Sequence, residues 1–343
     1  MILDLYEYVV AMSLKIPEMA LVERFIPLAT KTIDLIAVPR ARPSADLEIK
    51  QEHADPDSGI DQHLLECIDV DQILSLLHSM AFDTSLKTET CQAFWRKMEF
   101  DFTLMMLNKA QPLPHIMLVL QMVGSSAMSE TFGVITDPDR QAISEVHTID
   151  RLTTLLFERP EAPPDEPPYE DTEIARLQVE TIRALNAIAI TKHGSSVLAQ
   201  HRTAIGRLVR LLHVQVTRLY DLPSTTIEIT EQSVTTTKSS LIHELTATLI
   251  NLTVRLIYHL LTNQAELINL RERLMVIPGG HHKFLVSLTR LAFSEQLVYE
   301  AGIEEEAVDA AHEILDSILS PEEGEAVVQA IETPRGTRAS APG

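Results

Sequence analysis

Cysteine is nearly absent: Cys67 and Cys91 are the only two in 343 residues. That excludes a disulfide framework and a cysteine-built metal site, and the pair reads as reduced intracellular thiols. Glycine is scarce, at 11 residues, and no GxGxxG, Walker or GxSxG string occurs, so nucleotide cradles and a nucleophile elbow are not written here. Aromatics make up 5% of the chain, too few for a base-stacking platform. Positive charge is also short. Lysine and arginine total 28 against 49 acids, a formal net charge of −21, which argues against extended DNA contact. Asp4 and Glu7 interrupt the start, so the N-terminus does not read as a secretory leader.

Helix periodicity is what the chain has in quantity. Phe284, Leu285, Leu288, Leu291, Ala292 and Val298 recur on a 3.6-residue period, with Ser287, Arg290 and Ser294 opposite. Pro278-Gly279-Gly280 marks a turn before this run, and Gly302 suits a left-handed cap after it. Val308, Ala311, Ile314, Leu315 and Ile318 form the next stripe, and Ser320-Pro321-Glu322-Glu323 reads as a capping box. The longest apolar run, Leu241–Leu261, contains His243, Glu244, Arg255 and His259. A central arginine costs about 2.5–3.5 kcal/mol in a bilayer, so a packed helix of a protein core is expected and no membrane span.

Residues 1–38 read as N-terminal helices broken at Pro17 and Pro27. Residues 39–62 have almost no large apolar side chains and read as a disordered acidic loop. Helical repeats are expected over 63–158, including a long apolar helix over 91–110 ended by Pro112 and Pro114. The segment 159–172 holds five prolines between Pro160 and Pro168 and reads as a stiff connector. A second run of helical repeats is expected over 173–332, with a turn at Gly194. Thr225–Thr237 reads as a loop in preference to a strand, and 333–343 as a disordered tail. The predicted fold class is all-α, an irregular α-solenoid of HEAT/armadillo-like helical repeats; a compact bundle is the alternative.

The polar residues match no catalytic constellation, and no cofactor, metal or enzymatic activity is expected. His243-Glu244 and His312-Glu313 begin like HExxH, but Ala247 and Asp316 stand where the second histidine belongs. His281 and His282 are neighbours about 100° apart on a helix and do not readily share a metal. Glu304-Glu305-Glu306 reads as solvated helix-start acid. Met98, Met105, Met106, Met117 and Met122 read as core filling before a soft binding surface. The one charge feature that points to a partner is basic: Arg207, Arg210 and Arg218 share a helical face with Leu211 and Val214. Either those two apolar residues are exposed and the face is an interface, or a neighbouring helix buries them and the arginines are a solvated rim. An enzyme assembled from dispersed histidines such as His259, His281 and His312, and a direct single-stranded DNA binder on the Arg207 face, are the rival readings.

Several strings carry a resemblance: Phe94-Trp95-Arg96, Pro163-Pro164-Asp165-Glu166-Pro167-Pro168-Tyr169, Ala199-Gln200-His201-Arg202, Arg255-Leu256-Ile257-Tyr258-His259 and Ile277-Pro278-Gly279-Gly280-His281-His282-Lys283-Phe284. Over about residues 70–330 the chain resembles the fungal ATR-interacting protein (ATRIP) family. The resemblance implies a nuclear, non-catalytic subunit. It would dock on the helical repeats of an ATR-type phosphatidylinositol-3-kinase-like protein kinase, form a homodimer, and deliver the kinase to single-stranded DNA coated by replication protein A. Tyr258, His281, His282 and Phe284 join Arg207, Arg210 and Arg218 as partner-contact candidates. The family's heptad coiled coil and N-terminal acidic-hydrophobic recruitment motif are not seen, so dimerisation and contact with replication protein A would rest on regions missing from this sequence. The same departure leaves open that Met1 begins a fragment. No Ser-Gln or Thr-Gln dipeptide occurs, so phosphorylation by such a kinase within this chain is not supported.

Overall fold

Ten helices carry the structure, a computed structural model that describes residues 26–27, 29–31, 33, 70–81, 100–128, 141–162, 167–201, 203–221, 233–262, 280–293 and 302–319. They are α1 (Val70–Ala81), α2 (Phe100–Met106), α3 (Leu113–Met128), α4 (Gln141–Leu155), α5 (Asp171–Ile190), α6 (Lys192–Gln200), α7 (Ala204–Asp221), α8 (Ser233–Thr262), α9 (Gly280–Phe293) and α10 (Glu305–Ile318). Every regular element among the described residues is a helix, as the periodicity requires. The chain forms two compact units, Met1–Ala204 and Ile205–Gly343.

In the first unit α5 is the organising helix. Leu177, Ile182, Leu185 and Ile188 are buried, and so are Ala175, Val179, Ala184, Ala187 and Ala189, which leaves a narrow stripe of Arg176, Arg183 and Ile190 exposed. It packs on α3, α4 and α6, and α3 in turn packs on α1 and α2. Leu113, Ile116, Val119, Leu120, Met122 and Val123 supply the α3 side of that core. At Gly124 of α3 a Cβ would meet the Ala184 Cα of α5 at 3.7 Å, an ordinary contact, so the packing there does not require glycine. Ile26, Ala29 and Ile33 are also buried and helical; the expected breaks at Pro17 and ahead of Pro27 fall on or beside residues outside the described ones.

Several core threonines pair their hydroxyls within their own helix. Thr153, Thr181, Thr246 and Thr253 each donate to the carbonyl four residues earlier, at 2.8, 2.7, 2.7 and 2.6 Å. These four hydroxyls are satisfied within their own helices, whereas the buried hydroxyls of Ser195, Thr217 and Thr289 have no partner among the described residues.

Several expectations need correction. The proline-rich stretch 159–172 does not separate two bodies; it lies within the first unit and is tied to it. Pro160 is buried, the Glu161 amide donates to the Lys109 carbonyl at 2.9 Å, and Tyr169 accepts the Leu113 amide at 3.0 Å. Arg159 closes the stretch by donating to the Tyr169 carbonyl, and Gln178 of α5 reaches the Leu156 carbonyl at 2.8 Å. Extended proline backbone has free carbonyls and buriable rings, so it can be strapped down as well as left as a spacer. The division between units falls at Ala204/Ile205 instead. Within 91–110, α2 ends at Met106 and residues 107–112 form a turn ahead of α3. Helix α8 begins at Ser233, inside the threonine-rich run. Each threonine costs only tenths of a kcal/mol in a helix, and extending an existing helix is cheaper than starting one. The loop 39–62, the tail 333–343, Cys67, Cys91, Met98 and the Ser320–Glu323 string lie outside the described residues.

Gly194 is not a free turn but sits in the first turn of α6, three residues after Thr191, which divides α5 from α6. Thr191 caps α6 by accepting the Gly194 amide at 3.0 Å. A Cβ at Gly194 would stand 2.2 Å from the Ile188 carbonyl oxygen, which is backbone and has no easy way to move. Gly194→Ala is expected to destabilise the chain by about 1–3 kcal/mol. Gly124→Ala is expected to be neutral or stabilising, because it fills ordinary space in a helix. Thermal unfolding of the two variants beside the wild type checks both; a stable Gly194→Ala protein would refute the close approach.

Candidate functional site

The second unit places most of the residues singled out from sequence. On α7 the outward stripe is Arg207, Arg210, Val214 and Arg218, while Leu208, Val209, Leu212, Val216 and Leu219 are buried. The two apolar residues proposed to sit beside the arginines part company. Leu211 is 1% exposed and belongs to the core, whereas Val214 is 47% exposed between Arg210 and Arg218. Residue 211 lies about 60° further round the helix than residue 214, which is enough to turn it under. Arg210 and Arg218 are exposed and Arg207 half-buried.

Helix α9 joins this surface at its polar edge. His213 Nδ1 of α7 lies 3.1 Å from the Ser287 hydroxyl of α9, which donates at 2.8 Å to the Lys283 carbonyl. Lys283, Ser287 and Arg290 follow one another at helical spacing, so His213 sits between two cations. Burial of its ring, then repulsion from Lys283 and Arg290, hold the His213 pKa below the usual imidazole value. His282 and Lys283 are exposed. Phe284 is fully buried, so it is a core side chain and not a partner contact. Its place in the same apolar stripe as Leu288 and Leu291 explains this. The side chain of His281 lies outside the described residues.

Tyr258 belongs to a different structure, a polar ladder between α8 and α10. Asn251, Arg255 and Tyr258 recur at intervals of four and three residues on α8. The Glu304 amide donates to Asn251 Oδ1 at 3.2 Å, and Asn251 Nδ2 donates to the Gly302 carbonyl at 3.4 Å. Arg255 bridges Glu304 and Glu306, and the Tyr258 hydroxyl donates to Glu313. The bond to the Glu313 carboxylate raises the Tyr258 pKa above that of an ordinary phenol. Glu304 and Glu306, expected to be solvated helix-start acids, therefore also join two helices. Gly302 does adopt the left-handed conformation, φ 73°, and its carbonyl meets Asn251. Sequence reasoning missed the ladder because its acceptors lie some 50 residues away; the i, i+4, i+7 polar spacing within the apolar α8 was the available signal.

In the first unit two histidines pair across α1 and α3. His115, itself buried, meets the Asp71 carboxylate, and His78 Nε2 lies 2.8 Å from Gln121 Oε1. Neither arrangement gathers a third ligand. Among the described residues no group of three His, Cys, Asp or Glu side chains is placed to hold a metal. His312 packs edge-on against Phe293, with ring centroids 5.0 Å apart. Leu241–Thr262 of α8 is long and apolar enough to cross a bilayer, but 56% of that window is buried inside the protein, as befits a core helix. Met106 and Met122 are buried and Met105 and Met117 half-buried, which fits core filling.

With this geometry in view, comparison with known proteins decides the family. The model "Rad26-like, helical repeats" matches residues 28–261, and "Rad26-like, C-terminal domain" matches 268–331. The chain belongs to the Rad26-like helical-repeat family. A crystal structure of Myceliophthora thermophila Rad26 (residues 373–841) is similar with a TM-score of 0.65 and 25% identity, over 89% of this chain and 76% of that one. A search among curated proteins finds no match. The resemblance to the ATR-interacting protein family is thereby corrected: the Rad26-like family is related to it but distinct. The strings that suggested the former fall inside the regions the Rad26-like models match, so they did not separate two related families. The all-α, irregular solenoid class of helical repeats stands.

The His213 environment sets a sign for pH dependence. A histidine whose folded pKa lies below its unfolded value contributes stability at pH above about 6.5 that is lost as pH falls through the folded value. Stability of the wild type is expected to drop between pH 7.5 and 5, and His213→Gln is expected to shrink that drop. Denaturant midpoints measured across this range check it; equal pH slopes for both proteins would contradict it.

Proposed function

We propose that this Rad26-like chain is a non-catalytic nuclear checkpoint adaptor that binds the helical repeats of an ATR-type checkpoint kinase. Family membership supports the checkpoint-adaptor role and implies an ATR-type kinase partner in general. The observation that carries the contact is the outward stripe of Arg207, Arg210, Val214 and Arg218 on α7. Arginine beside exposed apolar surface is the composition of protein interfaces, and Val214 is the exposed apolar side chain in that stripe. In this reading charged rims set the register and apolar faces supply the affinity. Support for kinase recruitment to single-stranded DNA coated by replication protein A follows as the downstream role. Nuclear location follows from the same role.

Affinity purification from nuclear extract with mass-spectrometric identification tests the partner. An ATR-type kinase is expected with the wild type and is expected to fall at least tenfold with a charge-reversed Arg207, Arg210 and Arg218 triple variant. Phe284→Ala is the contrasting control. It should cost about 3–5 kcal/mol of stability through a cavity in the second unit, and lose partner only in step with unfolding. Full kinase recovery with the folded triple variant would remove the α7 stripe from the interface.

A further inference from the structure

Helix α10 carries five acids, Glu305, Glu306, Asp309, Glu313 and Asp316, and neither lysine nor arginine. They divide between two faces. Arg255 holds Glu306 and Tyr258 holds Glu313, so that edge belongs to the ladder with α8. Glu305, Asp309 and Asp316 lie about 80° further round the helix. All three are exposed, and none has an ion pair or side-chain hydrogen bond among the described residues. His312 falls on the same line, three residues after Asp309 and four before Asp316, so both carboxylates adjoin it. On His312 stands Phe293 of α9, with ring centroids 5.0 Å apart and 48% of the residue exposed. The patch is therefore an open aromatic ring edged by two uncompensated carboxylates. Helices α9 and α10 pack along each other, so more than the ring contact holds its two sides together. Thr289, one turn before Phe293 on the same side of α9, is 7% exposed, and its hydroxyl has no partner among the described residues. Its position turns that unpartnered hydroxyl to the seam beneath the ring. Arg290, the α9 cation nearest in sequence, bears on His213 of α7 instead.

We propose that the α9/α10 seam docks an arginine from a basic segment of a partner protein, with the guanidinium stacked on Phe293 and paired to Asp309 and Asp316. The proposal goes beyond the adaptor reading and does not rest on it. Charge complementarity chooses the occupant. Neighbouring unpaired carboxylates repel each other, and a cation between them relieves that repulsion. A guanidinium also matches the ring. It is planar and weakly hydrated, and it stacks on an aromatic face while its fork reaches a carboxylate. A lysine ammonium answers the charge but not the plane. An apolar partner would bury both carboxylates without compensation. A metal ion fits poorly, because Asp309, His312 and Asp316 are not placed as a metal-holding group. Glu305, one turn before Asp309, extends the acidic line to a second cation of the same segment.

The test uses the full chain and three fluorescent peptides of equal length. One carries arginines at the three- and four-residue spacing of the α10 line; the second carries lysines at the same positions; the third carries glutamates. Binding is read by anisotropy at low and physiological salt, with circular dichroism confirming that each variant is folded. The arginine peptide is expected to bind about threefold tighter than the lysine peptide, and both to weaken with salt. The glutamate peptide is expected not to bind. Asp309→Asn with Asp316→Asn is expected to lose about tenfold. Phe293→Leu keeps apolar bulk and is expected to erase the preference for arginine over lysine. Equal binding of the arginine and lysine peptides to the wild type, unchanged affinity in the double variant, or an arginine preference that survives Phe293→Leu would overturn the proposal. Self-association of the wild type that the double variant abolishes would overturn it too, by assigning the seam to a second copy.

Discussion

Burial of apolar helix faces against other helices is the constraint on which everything else depends. α5 is the clearest case: with all but a narrow stripe of its surface covered, it holds α3, α4 and α6 at once. Burial is non-directional, so it fixes neither register nor partner by itself. Directional contacts do that at the margins. Thr191 and Gly194 set the step from α5 to α6, and Asn251, Arg255 and Tyr258 set α8 against α10. Arg255 and Tyr258 are partly solvated, so their ion pair and hydrogen bond contribute little energy and mostly choose one packing arrangement.

Function in such a molecule has to lie in what the core does not use. Once the stripes of α7 and α9 are turned inward, the residues left facing out on α7 are Arg207, Arg210, Val214 and Arg218, and those left on α9 include His282 and Lys283. No strained backbone or metal-grade cluster accompanies them among the described residues. What the unit offers is a surface with a charge pattern, and the His213 pKa is depressed first by burial of its ring and then by the nearby Lys283 and Arg290.

The helices were legible in the sequence wherever a single face is apolar, as in α9 and α10, because a 3.6-residue period leaves a direct trace. Leu211 shows the limit. It lies on the edge of the buried arc, and only the position of neighbouring helices decides that it turns in while Val214 turns out. The proline-rich 159–172 stretch shows another limit: composition reports what backbone it can adopt, not that Lys109, Leu113 and Tyr169 tie it down. Glu304 and Glu306 looked like caps because their partner, Arg255, is distant in sequence. Family assignment failed for an analogous reason, since short strings common to related proteins do not discriminate between them.

The central claim is that the second unit meets its partner through the α7/α9 surface. Cross-linking lysine to carboxylate in the purified adaptor–kinase complex, followed by mass spectrometry, tests it most directly. Lys283, exposed beside the arginine stripe, is predicted to link to acidic side chains in the kinase's helical repeats. Links formed only from Lys109 and Lys192 of the first unit, with Lys283 unmodified by the kinase, would contradict the account.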